Sequence, residues 1–204
     1  MLIIKHRVNT IEDLKSTLVE YGVEIDIRPE GNKLILHHDP FTPGEDFEEW
    51  LKHYKHAFLI LNIKSEGIEK RVIELMEKYQ IQAYFLLDVA PPFLTKLAKQ
   101  NIAGLSTRLS PFESVKTCLE YARAFPGQFT WVFVDVMTKT EGKTKLPLNG
   151  KMSQQLKEAG YKICLVSPEL LNRENQIAAY KKKLGAKGIT IDAVLTKKPE
   201  LWST

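Results

Sequence analysis

Two carboxylates stand two residues apart inside the apolar segment VEIDI, residues 23–27. Side chains two apart on a β-strand share a face, so Glu24 and Asp26 point the same way and the three apolar residues point the other way. Two carboxylates side by side in a dry environment repel each other and raise each other's pKa. A divalent cation, Mg²⁺ or Ca²⁺, would remove that conflict by binding oxygens from both. A salt bridge to Arg28 or Lys64 is the alternative.

The segment LILNIK, residues 59–64, repeats this spacing on the next predicted strand. Asn62 and Lys64 share a face there, beside the carboxylate strand if consecutive strands are neighbours. The amide oxygen of Asn62 would be a third ligand for the cation, and the ammonium group of Lys64 would hold an anion. The alternative is a hydrogen bond and an ion pair that only stabilise the ends of the strands.

Histidines follow two of the predicted strands and could transfer protons. His6 ends the first strand, and His37 and His38 end the second strand of a hairpin. Imidazole gives or takes a proton near neutral pH, which suits acid–base catalysis. Adjacent strand residues face opposite ways, so only one histidine of the hairpin pair is expected to enter the site. His53 and His56 lie in or just after a charged helix and are expected at the surface.

Strand and helix patterns alternate along the chain, and this alternation must position the polar residues. We count eight main strands, each followed by a helix except the last. One extra strand comes from a short β-hairpin in the second strand–helix repeat. The pattern predicts an α/β fold, a single-domain (β/α)₈ TIM barrel over residues 1–204. A doubly wound open sheet is the alternative, although no glycine-rich dinucleotide turn follows the first strand. The first helix is expected within residues 10–22, with apolar residues through Leu18 and a closing Gly22.

In a barrel of this type, catalytic groups gather where the strands end and the loops begin. Nearly every predicted strand delivers polar groups to that rim, although strands also become polar simply because they reach solvent. The polar residues at the predicted strand ends are His6, Arg7, Glu24, Asp26, Asn62, Lys64, Asp88, Arg108, Asp135, Ser167, Glu169, Thr196 and Lys197.

Four short motifs resemble, in order, the signatures of the glycerophosphodiester phosphodiesterase family. The family belongs to the phosphatidylinositol phospholipase C-like barrel superfamily. The chain's final segment IDAVLTKKPELW is similar to the family's closing strand, with Lys197 where an aspartate is usual. Only Val8 separates HR from NT, where the family has a longer loop. The four motifs are HR…NT at 6–10, VEIDI at 23–27, HD at 38–39 and LNIK at 61–64.

The resemblance implies roles for several residues of these motifs. It implies that His6 and His38 are the acid–base pair and that Arg7 and Lys64 contact phosphate. It also implies that Mg²⁺ or Ca²⁺ is held by the VEIDI carboxylates. Asn62 stands where the family usually has a glutamate ligand, and the lost negative charge should weaken cation binding.

The expected function is therefore a metal-dependent phosphoric diester hydrolase that uses two histidines for acid–base catalysis. Its substrate would be a glycerophosphodiester or a related small molecule, glycan-linked diesters included. One alternative is a barrel that binds a phosphorylated ligand without cleaving it, which Asn62 favours and the two histidines disfavour. Another is a lyase or transferase that acts on a glycan-linked phosphodiester.

Composition and charge exclude several other classes of protein. The net charge of +4 is spread along the chain, and the basic run at 180–188 is typical of a solvated helix end, so no nucleic-acid partner is expected. No apolar run is long enough to span a membrane. Cys118 and Cys164 stand alone in apolar settings, as reduced thiols of a cytoplasmic protein do. The oligomeric state stays open.

Overall fold

A computed structural model of the chain describes residues 1–135, 146–186 and 188–203. Its strands are β1 (Leu2–Lys5), β2 (Gly22–Glu30), β3 (Lys33–Leu36), β4 (Glu45–Asp46), β5 (Phe58–Ile63), β6 (Tyr84–Leu87), β7 (Leu105–Leu109), β8 (Phe129–Val134), β9 (Lys162–Val166) and β10 (Ala193–Thr196). Its α-helices are α1 (Ile11–Ser16), α2 (Phe47–Leu51), α3 (Glu69–Lys78), α4 (Pro91–Lys99), α5 (Val115–Ala124), α6 (Gly150–Glu158) and α7 (Ile177–Ala186). Short 3-10 helices cover Pro168–Leu171, Glu174–Gln176 and Pro199–Leu201.

Strands and helices alternate in the order of a (β/α)₈ barrel, which confirms the predicted fold class. β1, β2 and β5 to β10 are the eight barrel strands, and a helix follows each of them except the last. β1 pairs with β2 and also neighbours β10, so the strand order returns to its start. An open doubly wound sheet would leave β1 without one of these neighbours.

The chain divides into two compact units, and the first, Ile4–Gln100, contains the VEIDI and LILNIK strands. There β2 pairs in parallel with β5, and the register sets Asp26 opposite Asn62. β5 is buried throughout and β2 is buried from Gly22 to Ile27, so the polar side chains there must find partners within the protein. The sequence thus brings a carboxylate and an amide side by side in a dry environment.

A hairpin extends β2 away from the parallel strands. β3 pairs antiparallel with β2 after a turn at Gly31, and the two-residue β4 pairs antiparallel with β3. Residues 37–44 connect β3 to β4, and we call them the β3–β4 loop. Gly44 closes this loop because a Cβ atom there would lie 2.4 Å from the carbonyl oxygen of Leu36. Both ends of the loop are therefore fixed on the hairpin.

The second unit comprises Met1–Ile3 and Asn101–Thr204, and it carries β7 to β10 as parallel neighbours. Cys118 and Cys164 are buried in this unit as free thiols. Across the described parts of both units, no helix is long and apolar enough to cross a membrane.

The first helix is shorter than its apolar spacing predicts. It ends at Ser16, and the next residue, Thr17, is already extended with ψ 135°. Leu18, which the spacing assigned to the buried face, is 58% exposed. Gly22 begins β2 instead of ending the helix, and a Cβ atom there would lie only 3.1 Å from the carbonyl oxygen of Phe58. The prediction was wrong because the chain must leave the helix early to enter the strand.

His56 is buried, so its predicted surface position was wrong. Only 9% of the residue is exposed, and its Nε2–H donates to the carbonyl of Thr17 at 3.0 Å. Burial lowers the pKa of His56 below its usual value. α2 ends at Leu51, and His56 lies on the segment that returns to β5, where it fills space beside Tyr54. His53 is exposed as predicted.

Candidate functional site

Two fully buried carboxylates form the centre of the candidate site, within the unit Ile4–Gln100. Glu24 and Asp26 are both 0% exposed. The Nδ2 amide group of Asn62 donates to Glu24 Oε1 at 2.9 Å and to Asp26 Oδ1 at 3.2 Å. One amide group thus bridges the two carboxylates, on the shared faces that the spacing predicts.

Arg7 contributes both its backbone and its side chain to this pair. Its N–H donates to Glu24 Oε2 at 2.8 Å, and its Nε lies 3.7 Å from Asp26 Oδ2. Arg7 has φ 57°, a left-handed conformation that costs a non-glycine residue about 1 kcal/mol. This conformation directs the N–H toward the carboxylate, and the N–H of Val8 then bonds the Glu24 carbonyl at 2.8 Å. Local strain of this kind often accompanies a functional site.

Asn9 holds Asp26 through a reciprocal pair of hydrogen bonds. Its side-chain amide donates to Asp26 Oδ2 at 3.0 Å, and its Oδ1 accepts from the Asp26 N–H at 2.9 Å. Sequence reasoning gave Asn9 no role, although it stands in the NT motif. The Asn9 amide bonds both the backbone and the side chain of Asp26, and this cannot be predicted until β1 is paired with β2.

Lys64 brings a second cation to Asp26. Its Nζ lies 3.4 Å from Asp26 Oδ1 and 3.8 Å from Asp88 Oδ2, at the ends of β5 and β6. The salt bridge to Lys64 that the sequence left open is therefore present. Asp88 has φ 59°, so it is a second strained residue beside the carboxylate pair.

Burial makes Glu24 a weak acid. Loss of solvent, and next the charge of Asp26, raise its pKa to about 7. The hydrogen bonds from Asn62 and from the Arg7 N–H, and the charge of Lys64, oppose that rise. His6 Nε2 lies 3.8 Å from Glu24 Oε2, so a protonated His6 would gain an ion pair there.

The two histidines of the hairpin differ in their hydrogen bonds. The Asp39 N–H lies 3.0 Å from His37 Nδ1 and the Asp39 carbonyl oxygen lies 3.2 Å from it, so His37 helps to fold the β3–β4 loop in either tautomer. His38 Nδ1 lies 2.7 Å from Asp39 Oδ1, and a carboxylate can only accept, so this nitrogen carries the proton. Nε2 of His38 is then the nitrogen that can exchange a proton. The bond to His38 lowers the pKa of Asp39.

Arg28 ties the end of the hairpin to the end of β5. Its guanidinium donates to the His38 carbonyl at 3.0 and 2.7 Å, and to the Lys64 carbonyl at 3.0 Å. Arg28 therefore does not form the carboxylate salt bridge that the sequence left open. Arg28 holds the backbone of His38 near that of Lys64. The hydrogen bond from His38 is the main cause of the lowered pKa of Asp39, and the charge of Arg7 adds to it.

The remaining rim residues lie in the second unit and form polar networks of their own. Arg108 pairs with Asp135, while Glu169 accepts hydrogen bonds from two hydroxyl groups and one backbone N–H. The residues in question are Arg108, Asp135, Ser167, Glu169, Thr196 and Lys197.

The donor set fits a hard divalent cation if the Asn62 amide rotates. Asn62 Oδ1 is buried and has no hydrogen-bond partner, which is unusual for an amide oxygen. Half a turn of the amide would place its oxygen, instead of its nitrogen, next to both Glu24 and Asp26. Within the described ranges, no group of three or more His, Cys, Asp or Glu side chains could hold a metal. A third protein ligand for a cation at the carboxylate pair would then be the neutral amide.

No protein-family model matches the chain, and no curated protein is significantly similar to it. Two solved structures from Agrobacterium tumefaciens strain C58 share its fold. One, assigned as a glycerophosphoryl diester phosphodiesterase, has a TM-score of 0.68 at 16% identity, over 98% of this chain and 95% of its own. The other, a glycerophosphodiester phosphodiesterase, has a TM-score of 0.67 at 12% identity, over the full length of both chains. At these identities the likeness establishes the fold alone.

Proposed function

We propose that the chain is a phosphodiesterase that hydrolyses a glycerophosphodiester or a related small phosphodiester. The observation that carries the proposal is the buried pair of carboxylates with two basic side chains beside it. Arg7 lies 3.7 Å and Lys64 lies 3.4 Å from Asp26. The two solved structures with this fold, described as phosphodiesterases, add support.

The basic side chains would bind the phosphate. Arg7 and Lys64 stand next to the carboxylates and can turn toward the oxygens of an anionic phosphodiester. Positive groups held in place there would stabilise the charge that grows on those oxygens during the reaction. A divalent cation held by Glu24, Asp26 and Asn62 would supply Lewis-acid stabilisation when bound.

The two histidines would carry the protons. One would take the proton of the attacking hydroxyl, and the other would give a proton to the leaving oxygen. Asp39 fixes the tautomer of His38, so that Nε2 would be the exchanging atom. Glu24 lies beside His6 and would stabilise its protonated form.

A screen of glycerophosphodiesters followed by phosphorus NMR tests the proposal. With Mg²⁺ or Ca²⁺ present, the diester signal should fall and a monoester signal should grow, and His6→Ala should slow both. Saturable binding without any conversion would support the alternative of a binding barrel. A stable cyclic phosphate or a transferred phosphoryl group would support the lyase or transferase alternative.

A further inference from the structure

Phe41 stands out on the β3–β4 loop because two unfavourable features coincide there. The residue is fully exposed, at 105% of its reference surface. Its φ is 58°, in the left-handed region. A bulky side chain rarely adopts that conformation, and an exposed ring offsets none of the cost by burial. Single exposed apolar residues are common, but Leu18 and Val19 are exposed without such strain.

The loop holds Phe41 in this conformation. Pro40 and Pro43 flank the segment and restrict its backbone. Gly44 packs so closely on the Leu36 carbonyl that no other residue fits there, and β4 then pairs with β3. The loop therefore fixes the backbone at Phe41, and the strain there points to a use outside the folding of the chain.

The ring also lies close in sequence to the proposed catalytic groups. Phe41 follows Asp39 by two residues, and Asp39 is bonded to His38. Arg28 donates to the carbonyl oxygens of both His38 and Lys64, so this end of the loop lies beside the proposed phosphate site. A substrate whose phosphate binds at Lys64 would therefore lie beside the loop.

We propose that Phe41 contacts a hydrocarbon part of the substrate, an alkyl or acyl chain on one of the esterified alcohols. A phenyl ring between two prolines offers apolar surface and no hydrogen bond, so it would not favour a bare glycerol group. The inference rests on the proposed function, because it needs the phosphate bound at Arg7 and Lys64. It adds that the preferred diester is amphiphilic.

Calorimetric binding of methyl phosphate and hexyl phosphate tests this inference without requiring turnover. The wild type should bind hexyl phosphate about tenfold more tightly than methyl phosphate, which is about 1.4 kcal/mol. Phe41→Ala should reduce this ratio to about twofold and leave the affinity for methyl phosphate unchanged, whereas Phe41→Leu should keep most of it. Leu18→Ala is the matched control, because it removes an exposed apolar residue before the amino-terminal end of β2.

The outcomes separate this inference from the proposed function. If methyl phosphate binds but Phe41→Ala leaves the ratio unchanged, the inference is wrong and the proposed function stands. If neither phosphate binds the wild type, both are wrong. Binding of phosphocholine and of phosphatidylcholine vesicles completes the test. If Phe41→Ala weakens binding of phosphocholine alone, the ring contacts a cationic group instead. If it weakens binding of the vesicles alone, the ring contacts a membrane surface instead.

Discussion

Asn62 sets the charge available to a cation at the carboxylate pair. Its amide nitrogen bridges Glu24 and Asp26, and its oxygen is buried without a partner. A neutral oxygen ligand binds a divalent cation less strongly than a carboxylate does. We therefore expect Asn62→Glu to tighten Mg²⁺ or Ca²⁺ binding by about tenfold, as measured by calorimetry. Asn62→Ala is the control and should weaken binding; unchanged affinity in both variants would exclude Asn62 as a ligand.

Lys64 would compete with a divalent cation for Asp26. Its ammonium group lies 3.4 Å from Asp26 Oδ1 and already neutralises part of the negative charge. We expect Lys64→Met to tighten Mn²⁺ binding in the absence of phosphate, because a like charge is removed. In the wild type, a bound phosphonate analogue of the phosphodiester should draw Lys64 away from Asp26. The analogue should therefore tighten Mn²⁺ binding more in the wild type than in Lys64→Met. Paired titrations with and without the analogue measure this difference, and equal effects in the two proteins would contradict it.

The histidines should differ sharply in their effect on turnover. His6→Ala and His38→Ala should each lower turnover by about a hundredfold or more, the scale of a lost proton-transfer group. His37→Ala should stay within about tenfold of the wild type, since His37 Nδ1 contacts the backbone of its own loop at Asp39. The double variant of His6 and His38 should cost less than the product of the two single losses. A large loss at His37 with none at His38 would reverse the assignment.

Residue types and spacing predict part of the site and miss the rest for a physical reason. The pairing of Glu24 with Asp26, and their approach to Asn62, follow from strand periodicity and parallel register. The parts played by Asn9 and Arg28 do not follow, because each depends on hydrogen bonds to atoms far along the chain. Asp39 could have been predicted only as a part of the HD motif, and not as the group that fixes the tautomer of His38.

At the scale of elements, apolar periodicity predicts which elements form better than where they end. The eight barrel strands were found, because buried parallel strands are continuous apolar runs. α1 was predicted too long, because Leu18 fits the helical spacing but lies beyond Ser16, where the chain turns toward β2. His56 was misplaced for a related reason: a polar residue near a charged helix is buried when the return segment packs inward.

The buried His56 gives the segment between α2 and β5 a dependence on pH. Its pKa is lowered in the folded protein by burial, so the unfolded chain binds the proton more readily. Its contribution to stability should be complete above the unfolded pKa of about 6.5 and should be lost as the pH falls below that value. Between pH 7.5 and pH 5.5, the free energy of unfolding measured in urea should fall less for His56→Met than for the wild type. His53→Met, at an exposed position, is the control, and an equal loss in all three proteins would contradict the prediction.

At the scale of the whole molecule, the alternation of strands and helices was enough to predict the barrel. The same fold supports many chemistries, so the barrel alone does not identify the reaction. The proposed reaction rests on the carboxylates within β2 and on the amide and the basic side chains at the carboxyl ends of β1 and β5. All of these residues lie in the unit Ile4–Gln100.

The most direct test of the central claim is a Mn²⁺ titration followed by electron paramagnetic resonance, with a phosphonate analogue of a glycerophosphodiester present. The wild type should bind one Mn²⁺ and should release it to excess Mg²⁺ or Ca²⁺. Asp26→Ala and the closer isostere Asp26→Asn should lose this binding while they remain folded by circular dichroism. Absence of binding in the wild type, or equal binding in the Asp26 variants, would contradict the claim that this carboxylate pair holds a cation beside the phosphate.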